Sequence, residues 1–233
     1  MRRAWWLACA AAVVVAWGPS ASANIAVPRQ TWTPVRMVSE DVRIVLSPTR
    51  VEVVASFVLE NEGEAITQVV GYPRGMLEKS LEDLTVSVDG EEVAVSSQPG
   101  WRGDRSHVSG RRGKVKTFPY QFEGPYPEWK VFTVAFAKSQ RRTVVIRYHV
   151  SPGELKTPDE DELRGYIYVL RTAATWKGNV EKAVVEIELA RLSTADLVSV
   201  TPEADIRRSE RLAWVFKDFK PNEDVAVTFR PGR

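Results

Sequence analysis

Apolar and polar residues alternate with a period of two along most of the chain. The pattern is clearest in residues 50–60, where one face is apolar and the other polar: Val51, Val53, Ala55, Phe57 and Leu59 against Glu52, Ser56 and Glu60. Because successive side chains of a strand point to opposite faces, this predicts a half-buried β-strand. Residues 61–64 predict a turn, after which residues 66–72 are predicted to run back as a second strand.

The same alternation recurs at short intervals as far as the end of the sequence. It predicts strands at residues 42–46, 84–88, 93–95, 132–136, 144–150, 166–171, 183–189, 197–200, 212–216 and 225–229. Asp89-Gly90 separates two of these runs and predicts a tight hairpin, because glycine tolerates the positive φ of a type I′ turn. No segment after residue 23 keeps the 3.6-residue period of a helix. Many short strands divided by turn residues predict an all-β sandwich or barrel.

Residues 153–164 (GELKTPDEDELR) are polar and suggest a linker between two units. We therefore predict two packed antiparallel β-sandwich units of immunoglobulin-like type, residues 24–152 and 165–233. One larger β-sandwich is the alternative, because five strands alone give a thin core and could borrow residues 24–46.

The first 23 residues have the three regions of a secretory signal peptide. Arg2 and Arg3 precede an apolar run at residues 4–17, and small residues follow before a cleavage site between Ala23 and Asn24. The apolar run, of roughly 14 residues, is shorter than the roughly 20 that span a bilayer, although an uncleaved anchor is the alternative. We expect export to the periplasm or the extracellular space, with no transmembrane segment after cleavage.

Cleavage would change both the cysteine content and the charge. The one cysteine, Cys9, lies in the predicted signal peptide, so the mature chain would form no disulfide and use no thiolate. The whole sequence has 32 Lys and Arg against 30 Asp and Glu, and the loss of Arg2 and Arg3 leaves 30 of each. A balanced mature chain gives no support for nucleic-acid binding.

Three stretches, FVLENEGEAITQVVGYP, LTVSVDGEEV and WVFKDFKPNEDVAVTF, resemble a family of exported bacterial all-β proteins of unknown function. Members of that family also carry an F-x-x-x-N-x-G strand and turn after a signal peptide. A T-x-x-x-W-K-G turn, here at residues 172–178, is similar too. The resemblance implies a secreted all-β fold and supplies no catalytic residue. Trp176 in that turn is predicted to pack in the core, with a sugar-stacking platform as the alternative.

Residue types that usually carry out catalysis are sparse. The two histidines, His107 and His149, lie in no nucleophile motif, and without mature cysteines they do not suggest a zinc site. The four acids at residues 159–162 lack the spacing of a calcium loop, and no glycine-rich phosphate loop occurs. We predict no enzyme activity, no metal and no cofactor. A hydrolase whose carboxylates are brought together by folding is one alternative, and an accessory subunit of an envelope complex is another.

Residues 96–127 interrupt the strand pattern and are long for a connection. Residues 101–116 concentrate cations beside a tryptophan, and the candidate ligand-binding residues are Trp101, Arg102, Arg105, Arg111, Arg112, Lys114 and Lys116. Guanidinium groups suit carboxylates and phosphates, which predicts an acidic envelope polymer or an envelope protein as the partner. A solvated loop without a ligand is the alternative. The sequence thus predicts an exported, non-enzymatic binding or structural module of the bacterial cell envelope.

Overall fold

The computed structural model describes residues 20–23, 25–26, 33–74, 81–99, 128–156 and 162–231. Within these residues the fold is all-β and sandwich-like, and its one helix is the short 3-10 helix Arg171–Thr175. The prediction of an all-β chain is therefore confirmed. The strands are β1 (Ser20–Ala23), β2 (Val35–Leu46), β3 (Val51–Asn61), β4 (Ile66–Arg74), β5 (Glu82–Val88), β6 (Glu91–Glu92), β7 (Ser96–Pro99), β8 (Glu128–Phe136), β9 (Arg141–Val150), β10 (Gly153–Lys156), β11 (Glu162–Val169), β12 (Val180–Leu189), β13 (Leu197–Thr201), β14 (Ile206–Arg208), β15 (Arg211–Phe219) and β16 (Val225–Phe229).

Three sheets surround one main hydrophobic core. The largest has eight strands in the order β14-β15-β12-β2-β3-β9-β5-β6, and all its neighbours are antiparallel except β12 and β2. A five-stranded sheet has the order β1-β11-β16-β13, with β10 also paired to β11. A three-stranded sheet has the order β4-β8-β7. Apolar residues of all three sheets meet in the core, because each strand turns its alternate apolar positions inward.

The prediction that β3 and β4 form a hairpin is wrong. β3 pairs with β9 in the eight-stranded sheet, whereas β4 pairs with β8 in the three-stranded sheet. The chain therefore crosses from one sheet to the other at residues 62–65, and it crosses back at residues 137–140. The two crossings lie side by side, so β3–β4 and β8–β9 together form one bent antiparallel ribbon shared by two sheets.

Asn61 holds the two crossings together. Its side-chain amide donates to the carbonyls of Gly63, Glu64 and Ala137 at 3.2, 2.7 and 3.0 Å, and its oxygen accepts from the Gly63 amide at 3.0 Å. The side chain is fully buried, so these bonds satisfy backbone groups that water does not reach. A β-carbon on Gly63 would approach Cβ of Pro34 to 2.8 Å, which explains glycine here by close packing. The N-x-G sequence thus builds a corner between sheets.

The structure does not confirm a division into two units. β12 lies beyond the predicted linker but pairs with β2 over Lys182↔Ser39 to Leu189↔Leu46, so one sheet contains strands from both predicted units. Both ends of the predicted linker are strands as well, since β10 pairs with β11 from Gly153↔Gly165 to Lys156↔Glu162. The thin C-terminal set of strands thus completes its sheet with a strand from residues 24–46, as the single-sandwich alternative anticipates.

The hairpin predicted at Asp89-Gly90 is confirmed. Val88 pairs with Glu91, and both turn residues have positive φ, 50° at Asp89 and 89° at Gly90, as a type I′ turn requires. The Asp89 carboxylate also accepts from the Thr143 amide at 2.7 Å and from the Arg142 guanidinium at 2.7 Å. These two donors, first Arg142 and then Thr143, hold the pKa of Asp89 below its usual value.

Candidate binding surface

The predicted ligand-binding residues fall outside the described residues, but the two ends of their segment are placed. Trp101, Arg102, Arg105, Arg111, Arg112, Lys114 and Lys116 all belong to residues 100–127. Before this segment the chain leaves β7 at Pro99, and after it the chain enters β8 at Glu128. Pro99 and Glu128 are directly paired across the two strands. Residues 100–127 therefore begin and end at one end of the three-stranded sheet, which we call the excursion base.

Polar contacts fix the excursion base. The Lys130 ammonium on β8 donates to the Glu128 carboxylate at 2.9 Å and to the Ser97 hydroxyl of β7 at 2.7 Å. The side chains of Lys130 and Glu128 are each 23% exposed, so their ion pair is only partly screened by water. The two strands are thus joined by side chains as well as by their backbone ladder at the point where the excursion starts.

A small apolar cluster lies beside these contacts. Trp129 and Val131 of β8 are buried with Ala26, and Val69 of β4 packs against them. Ala26 is itself tied to β4, because it exchanges two backbone hydrogen bonds with Gly71 at 2.8 and 2.9 Å. The three-stranded sheet is therefore covered on both faces at the excursion base, with the main core on one side and this cluster on the other.

A shallow groove of about 470 Å³ lies at the opposite end of β8, against the bend of the ribbon. Its lining includes Ile66, Thr67, Phe136, Gln140 and Arg142. The Arg142 guanidinium is engaged, because it pairs with the Asp89 carboxylate and its Nε donates to the Ala135 carbonyl at 3.1 Å. The groove therefore presents a cation whose charge is already balanced.

The main core contains one buried acidic side chain among the described residues, Glu40 on β2. The Tyr168 hydroxyl on β11 donates to Glu40 Oε1 at 2.8 Å, which joins the eight-stranded and five-stranded sheets. Burial, followed by the nearby negative charge of Glu40, raises the pKa of Tyr168 well above its usual value of 10. Tyr168 therefore keeps its proton and acts as a donor.

A network of ion pairs covers one end of the eight-stranded sheet. The Arg36 guanidinium contacts the carboxylates of Glu60 at 2.6 Å, Glu62 at 3.0 Å and Glu181 at 2.6 Å. The hydrogen bond that Arg36 donates to the Glu181 carboxylate is the main cause that raises the pKa of Arg36. Arg141 is the first and Arg36 the second donor that lowers the pKa of Glu60. The network links β2, β3, β9 and β12, so it stabilises the sheet.

Trp176 is buried and does not offer a face to a sugar. Its exposure is 2%, and its indole N–H donates to the Ile25 carbonyl at 3.1 Å. The prediction that Trp176 packs in the core is confirmed, and the stacking platform is wrong. Lys220 holds the same turn by donating to the carbonyls of Trp176 and Gly178, both at 2.9 Å. Partial burial of its ammonium lowers the pKa of Lys220.

The remaining candidates for chemistry are partly described. His149 lies on β9 with its Nδ1 3.7 Å from an Asp83 carboxylate oxygen, and His107 is outside the described residues. Of the acidic run at residues 159–162, only Glu162 is described, and it pairs with Arg164 at 3.1 Å. Within the described ranges no group of three or more His, Cys, Asp or Glu could hold a metal ion. No helix in those ranges is long and apolar enough to cross a membrane.

The Glu40–Tyr168 contact was not predicted, although the strand pattern contains a signal for the burial of Glu40. Val42, Ile44 and Leu46 were predicted to share a face, and a step of two toward the N-terminus places Glu40 on that face. The alternation continues through Glu40 and breaks only before it, where the register shifts between Met37 and Ser39. Nothing in the sequence paired Glu40 with Tyr168, since the two residues lie in different sheets.

Comparisons with known proteins give a fold and no family. No protein-family model matches the chain, and neither does any curated protein. A solved structure from Legionella pneumophila, described as a "putative nutrient binding protein", is similar with a TM-score of 0.62 and 13% identity. The similarity covers 91% of this chain and 72% of that one.

Two peptidase-related structures are more distant. Yeast LTA4 hydrolase has a TM-score of 0.43 and 10% identity, over 83% of this chain and 28% of that one. A mutant M1 zinc metallopeptidase from Deinococcus radiodurans has a TM-score of 0.37 and 8% identity, over 84% and 42%. The resemblance to an exported family of unknown function stays a prediction. The Legionella protein shares an all-β architecture over most of the chain.

Proposed function

We propose that this chain is an exported, non-enzymatic β-sandwich protein that acts as a binding or structural module of the bacterial cell envelope. Its contact surface is the cationic excursion of residues 100–127, and its partner is an acidic envelope polymer or an acidic envelope protein. The pairing of Pro99 with Glu128 carries this proposal, because a rigid sheet holds both ends of the excursion together. The similarity to a protein described as nutrient binding agrees with a binding role.

The charge distribution supports an acidic partner. Residues 100–127 contain six Lys and Arg against two acids, in a mature chain that has 30 of each in total, so the cationic excess of this segment is offset by acids elsewhere. Guanidinium groups bind carboxylates and phosphates through paired hydrogen bonds, and tryptophan faces pack against sugars or cations. Several weak ion pairs made by one segment with the same partner add to its total binding free energy, and salt weakens each of them.

The hydrolase alternative would require two carboxylates that face one pocket. Among the described residues no second buried acid accompanies Glu40, whose hydrogen bond to Tyr168 joins the two sheets. No observation on the described residues favours hydrolysis over binding, so we propose no reaction.

The test removes the excursion's arginines and measures retention on isolated cell envelope. Arg102, Arg105, Arg111 and Arg112 are changed together to Ala. The matched control removes four exposed arginines of the eight-stranded sheet: Arg43, Arg147, Arg207 and Arg208. Both variants lose the same charge, so a difference between them reports position and not net charge.

We expect the affinity of the excursion variant for the envelope to fall by about tenfold or more, because four exposed ion pairs contribute about 0.2–1 kcal/mol each. Retention of the unchanged protein should fall as NaCl rises from about 50 to about 500 mM, while the control variant behaves like the unchanged protein. Equal losses in both variants would show only non-specific charge attraction. Retention by the excursion variant that is unchanged and insensitive to salt would refute the proposal.

A further inference from the structure

Strand β11 has its two edges filled in different ways. One edge pairs with β16 from Arg164 to Tyr168. The other edge is divided, since β10 covers Glu162–Gly165 and β1 covers Tyr166–Val169. β1 is the parallel partner on this edge, with Ser20 opposite Tyr166 and Ala23 opposite Val169. Half of one edge of β11 therefore depends on four residues, Ser20–Ala23.

Those four residues end at the predicted cleavage site. The sequence predicts that the chain is cut after Ala23, which would remove the whole of β1. The residues just beyond the cut are fixed independently, because Ile25 accepts the Trp176 indole hydrogen bond and Ala26 is bridged to Gly71. Removal of the signal peptide would thus take away one strand and leave its surroundings in place.

Loss of β1 would leave the Tyr166–Val169 edge of β11 without a strand partner, among residues whose side chains are buried. The four β11 residues that β1 covers have side chains at most 5% exposed while β1 is in place: Tyr166, Ile167, Tyr168 and Val169. Their side chains point to the two faces of the sheet, so loss of β1 uncovers mainly backbone amides and carbonyls. Backbone groups in such a position require hydrogen-bond partners, and a strand edge without them pairs readily with another chain.

We propose that, once residues 1–23 are removed, the Tyr166–Val169 edge of β11 binds an extended segment of a second exported protein in parallel orientation. The structure shows that this edge accepts a parallel strand between β10 and the Ala26–Gly71 bridge. Strand addition of this kind takes its affinity from main-chain hydrogen bonds. The segment that fills the edge here has the sequence Ser-Ala-Ser-Ala, so small residues are the expected side chains of the partner.

A second copy of this chain fits the edge less well. Two-fold pairing of identical edges brings the two strands together antiparallel, whereas this edge holds a parallel strand. β10 also limits the free length to four residues, which is short for continuing a sheet into another copy. The proposal rests on removal of the signal peptide and is independent of the cationic excursion.

Hydrogen exchange tests the proposal on protein exported through its own signal peptide. Intact mass gives the N-terminus, and native mass spectrometry selects the fraction that carries no second chain. The probe is a synthetic peptide of residues 17–23, added at up to about 1 mM, the range expected for a weak strand contact. The control peptide carries Ala21→Pro and Ser22→Pro, because proline donates no backbone hydrogen bond. β13, the outer strand at the far end of the same sheet, is the internal reference.

We expect an N-terminus at Asn24 and rapid exchange at those amides of residues 166–169 that point away from β16, since the alternate amides stay bonded to β16. At about 1 mM the peptide should slow that exchange by about twofold, as expected when its Kd lies close to that concentration, while the proline peptide has no effect and residues 197–201 do not change. A retained signal peptide, slow exchange at the amides of residues 166–169 that point away from β16 without any added peptide, or no response to the peptide would each overturn the proposal. The excursion variant with four arginines changed to Ala should respond to the peptide as the unchanged protein does, so failure of the proposed envelope contact would be seen separately.

Discussion

The hydrogen bond from Tyr168 to Glu40 allows the energetics of the core to be tested with single atoms. Tyr168→Phe removes one hydroxyl and keeps the ring, so it withdraws a donor from a carboxylate that is 2% exposed. Loss of one partner from a buried polar contact costs about 1–3 kcal/mol, and more when the remaining group is charged. Glu40 also takes part in other interactions, which remain. We therefore expect the free energy of unfolding to fall by about 2 kcal/mol.

The reverse change and the double change make the prediction specific. Glu40→Leu should also cost about 2 kcal/mol, because it leaves the Tyr168 hydroxyl buried without this acceptor. The double variant removes both polar groups and should cost less than about 1.5 kcal/mol, since an apolar pair can replace a buried polar one. The two losses should therefore be coupled by more than about 1 kcal/mol.

Guanidinium chloride unfolding followed by tryptophan fluorescence measures these free energies, with an unchanged m-value as the control for two-state behaviour. Additive losses in the double variant would refute the view that the two side chains stabilise one another. The pH dependence gives a second measurement. Because the pKa of Tyr168 is raised in the folded state, its stabilising effect is complete below about pH 10 and is lost above it by up to about 1.4 kcal/mol per pH unit. Tyr168→Phe should lack that part of the alkaline slope.

Three further changes test the corner, the hairpin and the ion-pair network. Asn61→Ala should lower the free energy of unfolding by about 2–4 kcal/mol in denaturant titrations, because four hydrogen bonds at the ribbon bend are lost, and a loss below about 1 kcal/mol would contradict this role. Gly63→Ala should lower the melting temperature more than Gly90→Ala does. A β-carbon on Gly63 would meet Pro34, whereas Gly90 has open space around it and only a strained φ of 89°. A larger loss for Gly90→Ala would contradict the steric explanation for Gly63. Glu60→Gln should reduce the loss of unfolding free energy in acid. The pKa of Glu60 is lowered in the fold, so its stabilising contribution is present above about pH 4.3 and disappears as the pH falls. Identical curves of unfolding free energy against pH for the variant and the unchanged protein would contradict this prediction.

The residue pattern was sufficient for most of the long strands and for one turn. The strand predicted at residues 93–95 is wrong, since β6 ends at Glu92, and β7 and β10 lie in stretches that were predicted as a loop and a linker. Alternation places Val51, Val53, Phe57 and Leu59 in the core, as observed, because burial of one face is a local property of a strand. The Asp89-Gly90 hairpin was predictable for the same reason, since its two φ angles depend on the turn residues alone.

Partner choice between strands could not be predicted. The alternation in β4 is the same whether it pairs with β3 or with β8, so the crossing at Asn61 was not visible in the pattern. The parallel contact between β12 and β2 joins residues far apart in the sequence and has no local signal. For the candidate site, the sequence located the cationic segment, whereas the closure of its ends at Pro99 and Glu128 depends on a strand pairing that only the structure shows.

The pairing of β12 with β2 has a consequence for the order of folding. β2 is synthesised early, but its neighbour on one side is made about 140 residues later, and contacts so distant in sequence form slowly. Until β12 arrives, β2 has an open edge in the middle of what becomes the largest sheet. Chains that stop before Val180 would keep this edge open and are expected to aggregate. The newly made chain must therefore stay soluble without its finished core until β12 has been synthesised.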